Sequence, residues 1–163
     1  MKLTIDFETR SQVDIRTKGA YNYAVHPSTE VLCLAIKVDN EEPKIYIPRK
    51  FRGIVDTELS RDEVEELIKK AETIEAHNAH FELLIWHHVM PRYGFDPIDV
   101  NKVFCSLAKA SMCSLPRSLK GGCDAIGMEE GKDNDGHAIM MAMCKPRQPT
   151  QKERVGDWRD KIY

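Results

Sequence analysis

The amino-terminal stretch MKLTIDFETRS carries two carboxylates, Asp6 and Glu8, inside an otherwise apolar, β-branched run. Leu3, Ile5 and Phe7 alternate with Thr4, Asp6 and Glu8, the period of a β-strand over residues 2–8. Residues i and i+2 of a strand leave the same face, so both carboxyl groups project together. Two such groups in a partly buried place repel each other and lose hydration, and neither loss is small without compensation. Either that face is open to water, or a cation sits between them. Thr9, Arg10 and Ser11 follow at once, which places the pair at the C-terminal end of the strand, where α/β sheets gather their sites. A second acidic element lies in AHNAHFELLIW, residues 76–86, where Asn78 and Glu82 flank Phe81. A short strand is expected to turn into a helix there. Glu82 then falls in the first turns, where the helix dipole favours an anion and the side chain can reach back across the strand ends.

The elements that must position these groups are legible in outline. VLCLAIKV, residues 31–38, is a continuous apolar run of strand length, and KIYIP follows the DNEEP turn as a third strand, so 31–48 reads as a hairpin. Residues 9–30, with Gly19, Tyr21, Tyr23, His26 and Pro27, read as a long ordered loop. Ser60 with Glu63 three positions on is a capping box, and Val64, Leu67, Ile68 and Ala71 supply the apolar face of the helix it starts. IEAHNA is a short strand, and HFELLIWHHVMPRYG a helix stopped by Pro91 and Gly94. Residues 103–112 fit a strand, a helix or both in succession. LPRSLKGGCDAIGM and DGHAIMMAMCKP read as two further helices, and the tail RQPTQKERVGDWRDKIY has no clean period. Strands early and helices late predict an α/β layered domain around a mixed sheet.

With 163 residues, the chain suits a single domain. Hydrophobic residues at 42% and charged residues at 31%, with a net charge of −2, describe a soluble globular protein without the electrostatic footprint of a strong nucleic-acid binder. A basic patch can still hide in a balanced total. There is no apolar run of membrane-spanning length and no signal-peptide core, so no membrane role is expected. Five scattered cysteines without a CxxC pair exclude a disulfide framework or a zinc site and point to reduced thiols in the cytoplasm.

IDFETRS resembles the first motif of the DEDD superfamily of 3′–5′ exonucleases, and HNAHFE resembles its second. The likeness is to the proofreading exonuclease domain at the N-terminus of bacteriophage family A DNA polymerases. It extends through FCSLAKASMCSLPRSLKGGCDAIGM and KDNDGHAIMMAMCKPR, nearly the whole chain. The resemblance implies a three-layer RNase H-like fold and two-metal hydrolysis of a DNA 3′ end, with Mg²⁺ or Mn²⁺ held by Asp6, Glu8 and Glu82 as the catalytic carboxylates. Asp6 would bridge the two ions, and Glu82 stands where the family usually has Asp, one methylene shorter. By the same matching Asn78 contacts phosphate or sugar, and Phe7 and the Thr9 backbone line the terminal nucleotide. His80 and Phe81 adjoin that edge. The implied partners are a single-stranded or frayed DNA 3′ end and a polymerase domain.

The family's third motif, Tyr or His followed four residues later by Asp, has no counterpart, since no Asp of the sequence has either residue four places before it. The chain is expected to stop short of that motif and to be a truncated fragment, a split enzyme completed by another polypeptide, or a degenerate DNA- or polymerase-binding module. Loss of the covering helix is expected to leave apolar surface beside the first strand and to favour self-association. Other residues invite chemistry less. His77, His80, His87 and His88 lack HExxH spacing or a Cys partner and read as satisfied histidines. Arg117 and Lys120 fit either a phosphate contact or a solvated helix face. Met140, Met141 and Met143 fit core packing. EEGKDNDG, residues 129–136, lacks EF-hand spacing.

Overall fold

The computed structural model describes residues 1–48, 57–128, 136, 140, 141 and 144. Its five strands are β1 (Lys2–Arg10), β2 (Glu30–Val38), β3 (Lys44–Tyr46), β4 (Thr73–Ala76) and β5 (Val103–Cys105). They form one sheet in the order β3-β2-β1-β4-β5. β1 is central, antiparallel to β2 and parallel to β4; β4 is parallel to β5, so the sheet is mixed. The hairpin expected over 31–48 is present as β2 and β3. The described residues include α1 (Ile15–Val25), α2 (Arg61–Lys70), α3 (Ala79–His88), α4 (Ser106–Met112) and α5 (Leu119–Ala125). Residues 103–112 resolve as strand followed by helix.

The strict alternation of β1 decides the layers. Leu3, Ile5 and Phe7 are buried on one face against β2 residues Leu34 and Ile36 and β4 residue Ile74. Val64 of α2 and Ile85 and Trp86 of α3 close that core, and Trp86 meets Phe7 and Phe95 edge-on at 5.8 and 5.9 Å. The other face carries Lys2, Thr4, Asp6 and Glu8. There Glu75 of β4 is held by Lys2 at 2.7 Å and by Lys109 of α4 at 2.6 Å, which brings a helix to the second face. The exposed residues of β1 on that face are polar. Exposed apolar side chains gather instead at Phe104, Met112, Leu119, Ile126 and Met128.

The expected loop over 9–30 is replaced by a longer β1 and by α1. Asp14 caps α1 by accepting from the Arg16 amide, and Gly19 (φ 79°) interrupts it. That break removes the periodicity by which the sequence would reveal a helix. The helix predicted through 94 ends at His88 and continues as a 3₁₀ turn, Met90–Tyr93, closed by Gly94 at φ 85°. This turn is firmly tied. Arg92 Nη1 donates to the carbonyls of Pro27 and Thr29 at 3.3 and 3.0 Å, and Arg61 Nη2 donates to the Gly94 carbonyl at 2.6 Å. The capping box of α2 is formed in both directions between Ser60 and Glu63. The helix predicted for DGHAIMMAMCKP lies outside the described residues apart from Gly136, Met140, Met141 and Cys144, whose carbonyl accepts the Ser11 amide at 3.0 Å.

Ile5→Ala, in the middle of the central strand, is expected to lower unfolding free energy by about 2–5 kcal/mol. Ser60→Ala, which removes only a cap, is expected to cost about 1 kcal/mol. Urea denaturation followed by Trp86 fluorescence measures both.

Candidate active site

Asp6 and Glu8 stand on β1 toward the C-terminal ends of the parallel strands β1 and β4. Thr4 pairs with Glu75, so two residues further along Asp6 comes alongside His77 on the polar face. Asp6 is open to solvent and Glu8 half-buried. Partial burial raises the pKa of Asp6, opposed by the neighbouring His77; burial and then the charge of Asp6 raise that of Glu8. Beyond Glu8 the register with β2 shifts, a bulge that re-aims the strand end.

Glu82 arrives from the other side of this edge. The chain leaves β4, passes Asn78 in a left-handed conformation (φ 67°), and enters α3, in whose first turn Glu82 sits. Asn tolerates that conformation better than most residues. Glu82 is only 4% exposed, and its Oε2 has no hydrogen-bond partner. Burial pushes its pKa up to about 7; its own backbone N–H opposes the shift, and the charge of Asp6 adds to it. A buried carboxylate with an orphaned oxygen and a like charge nearby is stable only with a proton or a cation. That donor chemistry fits a hard divalent ion. In the arrangement seen, however, no three His, Cys, Asp or Glu side chains among the described residues are grouped so as to hold a metal ion.

The remaining predicted residues divide. Asn78 and His80 are exposed at the start of α3, beside Glu82. Phe81 is half-buried, its ring 6.0 Å from that of Tyr23. Phe7 does not line the site with its side chain, because alternation turns the ring into the core against Trp86. The Thr9 hydroxyl is engaged by the Tyr23 hydroxyl at 2.8 Å, and Thr9 is buried and paired with Val31 of β2. His77 is held at both nitrogens: Nε2 donates to the Arg117 carbonyl and Nδ1 bonds Ser106 Oγ, each at 3.0 Å. This matches the reading of a satisfied histidine.

Two neighbours were not visible in the sequence. Tyr23 is buried with its hydroxyl on Thr9, and burial raises its pKa, with Glu8 adding to the shift. Cys33 pairs directly across from Glu8, and burial followed by the charges of Glu8 and Asp6 pushes its thiol up to about 11. The period-2 pattern of β2 could have placed Cys33 on one face with Ala35 and Lys37, but not opposite Glu8.

No family model matches the chain. A DNA polymerase of Bacillus phage SP02 is 27% identical over 150 residues, an alignment that covers 91% of this chain and 22% of the polymerase. The chain thus spans about a fifth of that relative's length. Among solved structures, NrnC of Brucella melitensis with bound Mg²⁺ superposes with a TM-score of 0.50 at 15% identity, over 99% of this chain and 67% of that one. A nuclease in its apo form gives 0.53 at 12% identity with the same coverage. The fold is that of an RNase H-like nuclease. A phage DNA polymerase and two nuclease folds are thus what the chain is similar to, in keeping with the likeness read from IDFETRS and HNAHFE. Among the described residues no helix is long and apolar enough to cross a membrane.

The burial of Glu82 has a measurable signature. The folded chain holds this proton to higher pH than the unfolded chain does. Its contribution is therefore fully present below the ordinary value of 4.5 and is lost as pH rises to about 7. Metal-free protein is expected to lose on the order of 3 kcal/mol across that window. Glu82→Gln should flatten the slope and be the more stable protein at pH 8, as read by denaturation in EDTA.

Proposed function

We propose that the chain is a divalent-metal-dependent 3′–5′ exonuclease domain that hydrolyses DNA from a single-stranded or frayed 3′ end, as in proofreading by a phage-type polymerase. The observation that most supports this reading is Glu82, buried with an orphaned oxygen beside Asp6 where β1 and β4 end. Asp6, Glu8 and Glu82 would hold Mg²⁺ or Mn²⁺. When bound, such ions stabilise the attacking and leaving oxygens of an in-line phosphodiester displacement.

The chain itself supplies position and shape. β1, paired with β4 over Lys2, Leu3 and Thr4 and with β2 through Asp6 and Glu8, sets those two carboxylates on one edge, and α3 would bring Glu82 to it. Asn78 and His80, exposed at the start of α3, would meet phosphate or sugar. The Thr9 backbone and the Phe81 ring would border the terminal nucleotide. The extra methylene of Glu82, relative to the family's Asp, lets its carboxylate turn toward an arriving cation. The Tyr or His that orients water in the family's third motif has no counterpart in the sequence; a polymerase domain or another polypeptide is proposed to supply it. Among the described residues the cysteines form no disulfide.

A second reading, a DNA- or polymerase-binding module without catalysis, is favoured by one observation: the absence of a ready three-ligand group among the described residues. Metal binding separates the two readings. At a hundredfold excess over Kd, Mn²⁺ should stabilise the chain by about 2.7 kcal/mol, and Asp6→Ala should abolish the gain. An unchanged melting temperature favours the binding module.

On a 5′-labelled single-stranded oligonucleotide the isolated chain is expected to shorten the substrate slowly from its 3′ end, faster with Mn²⁺ than with Mg²⁺. Both Asp6→Ala and Glu82→Ala should stop it. Digestion that survives both substitutions would place the chemistry elsewhere.

A further inference from the structure

Beside the carboxylate edge, on the polar face of the sheet, lies a cleft of about 240 Å³ between α4 and α5. Its walls are mostly apolar, from Leu115, Leu119, Ile126 and Met128, with His77, Ser106 and Ser118 among the polar residues that line it. Leu119 and Ile126 are each 60% exposed, so the walls stand uncovered. The register that pairs Thr4 with Glu75 sets His77 alongside Asp6, so cleft and carboxylates share a wall. His77 is fixed there by its bonds to Ser106 and to the Arg117 carbonyl.

The size and surroundings narrow the occupant. The cleft falls below the 300–1,000 Å³ typical of drug-sized ligand pockets. An apolar slot suits the flat face of a base, and apolar side chains do insert between bases. Arg117 lies between the lining residues Pro116 and Ser118, with its carbonyl on His77, and Lys120 follows Leu119, so two cations of the segment that walls the cleft can meet a phosphate chain. Close packing shapes the slot. A Cβ at Gly121 would come within 2.9 Å of Pro116 Cβ, which presses the first turn of α5 onto that proline.

We infer that this cleft receives one unstacked base of the single strand whose 3′ end lies at the carboxylates. The inference rests on the nuclease reading and adds a base subsite to it. Sequence-tolerant binding follows, because an aliphatic slot holds any base by its face.

Gly122 provides a clean test. It lines the cleft in helical backbone, and a Cβ there would meet only the Pro116 carbonyl oxygen at 3.5 Å, an ordinary contact. Gly122→Leu should fill the slot while keeping or improving α5. Anisotropy is measured with a labelled thymidine oligonucleotide, with Ca²⁺ in place of Mg²⁺ and the oligonucleotide checked for integrity. A single abasic site is stepped inward from the 3′ end. Wild-type affinity is expected to fall about tenfold when the abasic site reaches one particular internal position. Gly122→Leu should bind all the oligonucleotides at that weakened level, with normal circular dichroism. A flat abasic profile for the wild type, with binding intact, overturns the subsite alone. Failure to bind any oligonucleotide overturns the nuclease reading and the subsite with it. Self-association of the wild type that Gly122→Leu abolishes would give the cleft to a second copy of the chain and overturn the inference.

Discussion

Register on the central strand is the constraint from which the rest of the molecule follows. A slip of one residue in β1 would carry Thr4, Asp6 and Glu8 into the core and expel Leu3, Ile5 and Phe7. β1 is paired along both edges, so such a slip would have to break two ladders at once. The same apolar alternation that anchors the sheet therefore aims the carboxylates. Stability comes from the inner face, and the outer face is free to carry groups that repel one another.

The electrostatic strain is concentrated where the ladders end. Asp6 and Glu8 are partly hydrated, whereas Glu82 is shielded by its helix and keeps one oxygen without a partner. The structure tolerates that group because Ala79, Ile85 and Trp86 hold α3 on the sheet independently of it. A rigid apolar support beneath a destabilised polar group is a common arrangement at functional sites, where local stability is exchanged for readiness to bind. The outer face shows the contrast. Glu75, two residues before His77, is neutralised by Lys2 and Lys109 and has its pKa lowered. One carboxylate on this face is satisfied by the protein itself, and the cluster at the strand end is not.

Much of this was legible because it is local. The β1 alternation, the β2–β3 hairpin and the Ser60–Glu63 capping box each follow from spacing within a few residues, and each is found. α1 was missed because Gly19 breaks it and because its buried residues, Tyr23 and Ala24, fall at one end without a repeat. The roles of Tyr23 and Cys33 depend on which strand pairs with which, and on a bulge that no local pattern announces. Phe7 is instructive in the opposite way. Its place on the apolar stripe with Leu3 and Ile5 already pointed inward, and the resemblance to a known motif drew attention toward the ligand instead.

The tethering of the segment after α3 bears on motion. Arg92 grips the carbonyls that join α1 to β2, Arg61 grips Gly94, and the Trp86 indole N–H donates to the Asp96 carbonyl at 3.0 Å. A helix moored by its far end and by its buried face has little room to slide along the sheet. What remains near the edge is torsion of the Glu82 side chain about its own bonds, and because that side chain is buried its turning depends on the packing around it. An arriving ion or strand end therefore meets an edge whose backbone already stands in place, and only side chains are left to adjust.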